Sequence, residues 1–386
     1  MKSNPIYLDY AATTPIDPKV LKAMLPYLEK KYGNTASMHQ CGLVVNHALD
    51  DARKIIAHSI AAKPSEVYFT ASATESNNTV IKGVAWANQA KGKHIIISSI
   101  EHDCVLNSAK WLEKQGWQIT QLKVDQYGFV DLEHLEKSIQ KDTVLVSIIY
   151  ASNEVGTIQN INQIGKICHD HQVYFHTDAS QSYGKIGIDV VKDHIDLLTA
   201  SSHKIYGPKG AALLYVNRSV KIESLLHGGG HENGFRSSTV NVPAIVGFAK
   251  AVEICQATRK QESLRLTHLR DQLIKGILDN INGSKLNGHP TKRLSNNINI
   301  SFDKIEGESI LIMLDMENIF VSTGSACSSA SLEPSHVLLA MGIPIELAHS
   351  SIRFSIGRWT SKEEINRLIS VLPSIIKKLR KMSPFK

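Results

Sequence analysis

Lys204 stands in the stretch Ser201-Ser202-His203-Lys204-Ile205-Tyr206-Gly207-Pro208-Lys209-Gly210, between the apolar run Ile195 to Ala200 and a tight turn at Tyr206-Gly207-Pro208. A lysine at the mouth of a buried strand is poorly solvated. Desolvation and neighbouring cations lower an amine's pKa and make it nucleophilic, which is the condition for Schiff-base chemistry with a carbonyl compound. A strand-end lysine turned to water is the plainer alternative, because most lysines are solvated. Asp178 closes another apolar run, Val173 to Thr177, so acid and amine would project from one sheet edge. A carboxylate placed there keeps a pyridine nitrogen protonated, and the Asp–Lys pair is the protein's minimum contribution to pyridoxal phosphate chemistry.

Three further stretches bear on that chemistry. Thr70-Ala71-Ser72-Ala73-Thr74-Glu75-Ser76-Asn77-Asn78 joins a strand to a helix through small and hydroxyl residues. A helix start offers free N–H groups and the positive dipole end, which suits a phosphate; an ordinary N-cap is the alternative. His102, after the run ending near Ser99, reaches the same edge, either as a packed histidine or as a ring stacked on a cofactor. Cys327 lies in Ser322-Thr323-Gly324-Ser325-Ala326-Cys327-Ser328-Ser329-Ala330-Ser331, which has no large apolar residue and reads as a mobile surface loop. A cysteine in such a loop suggests reactivity, with accidental exposure as the alternative. Cys41, Cys104, Cys168 and Cys255 lie in or beside apolar segments and read as core residues.

The elements that would position these groups follow from hydrophobic periodicity. Strands are predicted at Val67 to Thr70, His94 to Ser98, Val144 to Ile149, Val173 to Thr177, Ile195 to Ala200 and Ala212 to Val216, with helical stretches between most of them. Continuous apolar strands alternating with helices indicate an α/β unit whose mostly parallel central sheet is flanked by helices, with ligands at the strands' carboxyl ends. Beyond a long helix from Ala244 to Leu278 the order changes. Strands at Asn296 to Phe302, Ile319 to Val321 and Ile352 to Ile356, with helices at Glu308 to Met316 and Lys362 to about Lys381, read as a smaller α+β domain.

Composition removes several classes. The 386 residues suffice for two or three domains, and no apolar run approaches the roughly 20 residues that cross a bilayer. The start, Met1 to Tyr7, lacks the apolar core of a signal peptide, so a cytoplasmic protein is expected. Five widely spaced cysteines with no C-x-x-C pair argue against a disulfide framework and a zinc site, and 17 histidines include no H-E-x-x-H, so no metal is expected. The net charge of +7 without a continuous basic stripe fits a moderately basic enzyme; neither a membrane nor direct nucleic-acid binding is expected.

Taken together the motifs resemble the cysteine desulfurases of the NifS/IscS type, in the class V aminotransferase group of pyridoxal-phosphate enzymes. The resemblance runs almost end to end. It rests on Tyr7 to Pro15, Ala73-Thr74-Glu75-Ser76-Asn77-Asn78, Glu101-His102, Asn153-Glu154-Val155-Gly156, Asp178-Ala179-Ser180-Gln181-Ser182, His203 to Gly210, Gly228-Gly229-Gly230-His231-Glu232, Gly324-Ser325-Ala326-Cys327, Leu332-Glu333-Pro334-Ser335 and Arg353 to Arg358. It implies a homodimer of the fold type I pyridoxal-phosphate transferases. Residues 14–258 would form the large cofactor domain, and residues 1–13 with 259–386 a small domain carrying the cysteine loop at about 322–333.

The resemblance also implies roles. Lys204 would be the Schiff-base lysine, Asp178 the partner of the pyridine nitrogen, Gln181 that of the ring hydroxyl, and His102 the stacked ring and proton carrier. Asn153 would help hold substrate and cofactor. Ala73, Thr74, Ser201, Ser202 and His203 would surround the phosphate with Thr239 from the other subunit, and Arg353 would pair with the substrate carboxylate. L-Cysteine would become L-alanine, its sulfur passing to a persulfide on Cys327 and then to an acceptor protein for iron–sulfur cluster assembly or thiolation. A selenocysteine lyase or other class V enzyme, and a weakly active protein that binds sulfur-carrier partners, are the alternatives. The family usually has glycine where this chain has Ser72, Ser202 and Ser238, and asparagine at Ser152; serine in place of a positive-φ glycine costs about 1–2 kcal/mol each. The chain ends at Lys386 without the longer tail of housekeeping members, which the resemblance reads as a relative serving a specialised acceptor.

Overall fold

A computed structural model describes residues 4–323 and 333–383. In chain order the strands are β1 (Ile6–Tyr7), β2 (Val67–Thr70), β3 (His94–Ser98), β4 (Gln118–Leu122), β5 (Thr143–Ser147), β6 (Tyr174–Asp178), β7 (Leu197–Ser201), β8 (Ala212–Val216), β9 (Ser284–Leu286), β10 (Asn297–Phe302), β11 (Ile319–Phe320), β12 (Ser322–Thr323) and β13 (Ser351–Ser355). The helices are α1 (Pro18–Glu29), α2 (Gln40–Ser59), α3 (Ala73–Asn88), α4 (Asp103–Glu113), α5 (Leu132–Ser138), α6 (Ile161–Asp170), α7 (Val242–Asn280), α8 (Gly307–Met316), α9 (His336–Ala340), α10 (Ile345–His349) and α11 (Lys362–Met382).

The large sheet has the order β2-β8-β7-β6-β5-β3-β4, parallel except for β8, which runs against both its neighbours. Its central strands are buried because both faces are covered, and their few polar side chains, such as Ser147, His176 and Thr199, hydrogen-bond one another across the strands. Alternate side chains go opposite ways: Ile96, Leu213 and Tyr215 join a core with α1, α2, α6 and the first half of α7, whereas Ile95, Ile97, Leu214 and Val216 join one with α3 and α4. The edge strand β4 was not expected from the sequence. Only Leu122 of its five residues is buried, so it lacks the apolar run that marks its neighbours.

A second core surrounds the antiparallel sheet β12-β13-β10-β9, covered by α8, α11 and the second half of α7. The short parallel pair β1–β11 brings the start of the chain into it, with Ile6 and Leu8 buried there. Helix α7 spans 39 residues, about 58 Å at 1.5 Å per residue, and serves both cores: Phe248, Val252 and Cys255 pack in the first, Leu266, Leu269 and Leu273 in the second. We propose the domain division at residues 258/259, within this helix.

Candidate active site

The carboxyl ends of β2, β3, β5, β6 and β7 open on one cavity of about 240 Å³. Strand polarity explains this convergence: parallel strands place every strand-to-helix turn on the same edge. Lys204 ends the single turn Ser202–Lys204 that follows β7. Its Nζ donates to the carbonyls of Ala11 at 2.6 Å and Ala12 at 2.7 Å, so the chain's first residues form the wall opposite the lysine. His203 beside it approaches Thr13 Oγ1 through Nδ1 at 3.0 Å, and burial, reinforced by the Lys204 charge, pushes its pKa down to about 4. That imidazole is neutral at ordinary pH.

Asp178 is the last residue of β6, on the strand adjacent to β7, and is 4% exposed. Oδ2 accepts from Asn77 Nδ2 at 2.7 Å and Oδ1 from the Ser180 N–H at 2.9 Å. Gln181 donates through Nε2 to the Ala11 carbonyl at 2.9 Å, the same oxygen that Lys204 meets. His102 caps α4: its Nδ1 accepts from the Cys104 N–H at 3.2 Å. That contact assigns the proton of the neutral ring to Nε2. The preceding Glu101 is wholly buried, and desolvation pushes its carboxyl up to about 8 although Oε1 accepts from Ser98 Oγ at 2.5 Å and the Ile149 N–H at 2.6 Å.

The far wall comes from the second core. Arg353 on β13 is 2% exposed; its Nη2 lies 2.8 Å from Asp9 Oδ1 and its Nη1 donates to the Asn153 carbonyl at 3.2 Å. Its Nε, equally buried, has no partner among the described residues. Next to Asn153, Glu154 is 5% exposed; burial pushes its carboxyl up to about 7 against the opposing pull of Ser335 and Arg353.

At the base of the cavity, Ala73 and Thr74 begin the 16-residue helix α3, and Ser72 caps it by accepting from the Glu75 N–H at 3.1 Å. Ser201 and His203 line the cavity as well. Ser202 does not: it is fully buried behind Lys204, its Oγ packed on Gly207, where a Cβ would lie 2.1 Å away. Thr239 is exposed and lies outside this chain's cavity. Cys327 lies outside the described residues. Of the serines in place of glycine, Ser72 has a φ of −162°, extended backbone open to any residue, and Ser202 is not among the positive-φ residues. Only Ser238, at +145°, occupies the region that favours glycine. Ser152 accepts from the N–H groups of Glu154 at 3.2 Å and Val155 at 3.3 Å, a turn an asparagine would also make.

The expectation that four cysteines are core residues fails for two of them. Cys168 and Cys255 are buried, but Cys41 is exposed on the first turn of α2, ahead of the inward stripe of Val45 and Leu49. Cys104 lines the cavity, since α4 begins at the carboxyl edge of β3, and its Sγ lies 3.1 Å from both His102 Nδ1 and Asn77 Nδ2. Sequence reasoning also missed Asn77 and Asp9 as members of the site. Asn77 stands three residues after Thr74, nearly one turn deeper in α3, and that spacing was the available signal.

An acid held by two donors, an amine on the adjacent strand end, a long helix starting at the cavity and a buried arginine nitrogen lacking a partner suit an aromatic anionic cofactor and an amino-acid carboxylate. Set on this sheet, they define the aminotransferase type of pyridoxal-phosphate enzyme. The family model for class V aminotransferases matches residues 6–368. Cysteine desulfurase IscS of Methanosarcina thermophila is 50% identical over 379 residues, covering 98% of this chain and 94% of that protein. A solved NifS-like protein superposes with a TM-score of 0.92 at 36% identity, covering 97% of this chain and all of the other. SspA in complex with cysteine gives 0.81 at 36% identity over 92% of this chain and all of that one. The chain therefore belongs to the class V aminotransferases, among the cysteine desulfurases of the NifS/IscS type.

Proposed function

We propose that the protein is a pyridoxal-phosphate-dependent cysteine desulfurase, converting L-cysteine to L-alanine and holding the sulfur as a persulfide on Cys327. The observation that carries this reading is the placement of Lys204 and Asp178 on adjacent strand ends, facing the buried Arg353 across one cavity. When bound, pyridoxal phosphate supplies the electron sink that makes the substrate's Cα proton acidic. Asp178 would hold its pyridine nitrogen, Gln181 its ring hydroxyl and His102 its face. Ala73, Thr74, Ser201 and His203 would hold its phosphate together with Thr239 of a second subunit.

Arg353 receives the substrate carboxylate through the Nε left open beside its Asp9 pair, with Asn153 next to it. The amine of Lys204, held by the Ala11 and Ala12 carbonyls, takes the Cα proton. Cys327 as thiolate then attacks the substrate sulfur. The S–S bond forms as the Cβ–S bond breaks, its electron pair passing to Cβ; Cβ is then protonated, and Lys204 returns the proton it took to Cα, which leaves alanine. His102 carries protons through Nε2. The persulfide sulfur passes to an acceptor protein of an iron–sulfur or thiolation pathway.

Replacing Cys327 tests the assignment. Cys327→Ala should retain the yellow cofactor-bound spectrum yet lose sulfur release from cysteine by at least a hundredfold in a sulfide assay. Undiminished release would remove Cys327 from the mechanism.

A further inference from the structure

Two consecutive residues, Ser335 and His336, hold two separate walls of the cavity. Ser335 Oγ donates to Glu154 Oε2, and His336 Nε2 donates to the Glu101 carbonyl at 3.0 Å. A carbonyl only accepts, so that ring nitrogen carries the proton. Both acceptors adjoin site residues: Glu101 precedes His102, and Glu154 follows Asn153. Ser335 is 3% exposed and Glu154 5%, so their hydrogen bond is shielded from bulk water, whereas His336 is half-buried.

The surroundings make the two contacts one unit. Glu101 Oε1 accepts from the Ile149 N–H, tying the His102 wall to the Asn153 wall. Ser335 also caps α9 by accepting from the Leu338 N–H at 3.2 Å, and Val337 and Leu338 pack against Ile100, Ile149 and Val155 behind both walls. Helix α9 thus sits on the back of the segments that present His102 and Asn153.

We propose that the Ser335–Glu154 hydrogen bond, seconded by His336 on Glu101, holds the His102 and Asn153 walls of the cavity in register, making Ser335 and Glu154 positioning residues for the sulfur-transfer step. The inference rests on the desulfurase reading above. Glu154→Met removes the acceptor while leaving the Ser335 cap on Leu338; Glu154→Gln keeps an acceptor oxygen, and Ser335→Thr keeps the hydroxyl. Each cofactor-loaded variant is mixed with cysteine for a single turnover, following the absorbance change of cysteine binding and, by quench, alkylation and mass spectrometry, the persulfide on Cys327.

Glu154→Met should load Cys327 at least tenfold more slowly with the amplitude of the absorbance change retained, whereas Glu154→Gln and Ser335→Thr load it within about threefold of the parent. Ser335→Ala provides a second disrupting variant should Glu154→Met not fold. Loading at the parental rate in the disrupted variants overturns the anchor, as does equal loss of the absorbance change, which would place the defect in cofactor binding. A parent protein that puts no persulfide on Cys327 overturns the desulfurase reading itself, and the anchor with it; the parental trace tells the two failures apart.

Discussion

Glu101 shows how far one side chain departs from its type when burial outweighs its hydrogen bonds. Its carboxyl is raised from 4.5 to about 8 by desolvation, despite the donors Ser98 and Ile149. The sign follows from linkage. Below about pH 4.5 folded and unfolded chains both hold the proton; between there and about 8 the unfolded chain releases it first, so stability falls as pH rises, and the loss is complete above about 8. Glu154, raised to about 7, adds a loss over a narrower window. Glu101→Gln should flatten the decline in urea midpoint between pH 5 and 8; parallel profiles for parent and variant would show the carboxyl ionised in the fold. None of this is written in the sequence, where Glu101-His102 is legible only as a motif. Lys204, Asp178 and His102 were legible because each follows an apolar run. Cys104 was not, because its neighbours Val105 and Leu106 suggest a core position while the helix start turns its thiol to the cavity.

Elements were legible in proportion to their burial. β8 runs Ala212–Val216, the span its apolar residues predict, and β3 likewise matches His94–Ser98. β4 escaped notice because an edge strand needs no second apolar face, and the cost of the serine departures turned on φ, which the sequence does not reveal. Strain falls on the segment of Ser238, not on the phosphate-side helix start at Ser72. Ser238→Gly should therefore raise stability by about 1 kcal/mol, read as an upward shift in thermal midpoint, whereas Ser72→Gly should lower it by weakening the cap on α3. Equal effects at the two positions would contradict the backbone argument.

At the scale of the molecule, α1 leaves Leu21, Leu25 and Leu28 exposed at 45, 41 and 56% along one stripe. Apolar stripes of that kind mark contact surfaces, and with Thr239 outside its own chain's cavity we propose a homodimer. Light scattering should give about twice 42.6 kDa, and Leu25→Glu should lower it toward the single-chain mass; a monomer under cofactor-saturated conditions would exclude the second subunit's part in the phosphate site. Among the described residues no helix is long and apolar enough to cross a membrane.

The ion pair between Asp9 and Arg353 joins residues 344 positions apart across the cavity. On a ribosome adding 5–20 residues per second, roughly 17–70 seconds separate the synthesis of those two residues. The seven strands of the large sheet, ending at Val216, are complete well before Arg353 emerges, so the scaffold precedes the pocket. Cofactor capture with all walls in place is thus an event in the life of the finished polypeptide, not of the nascent one.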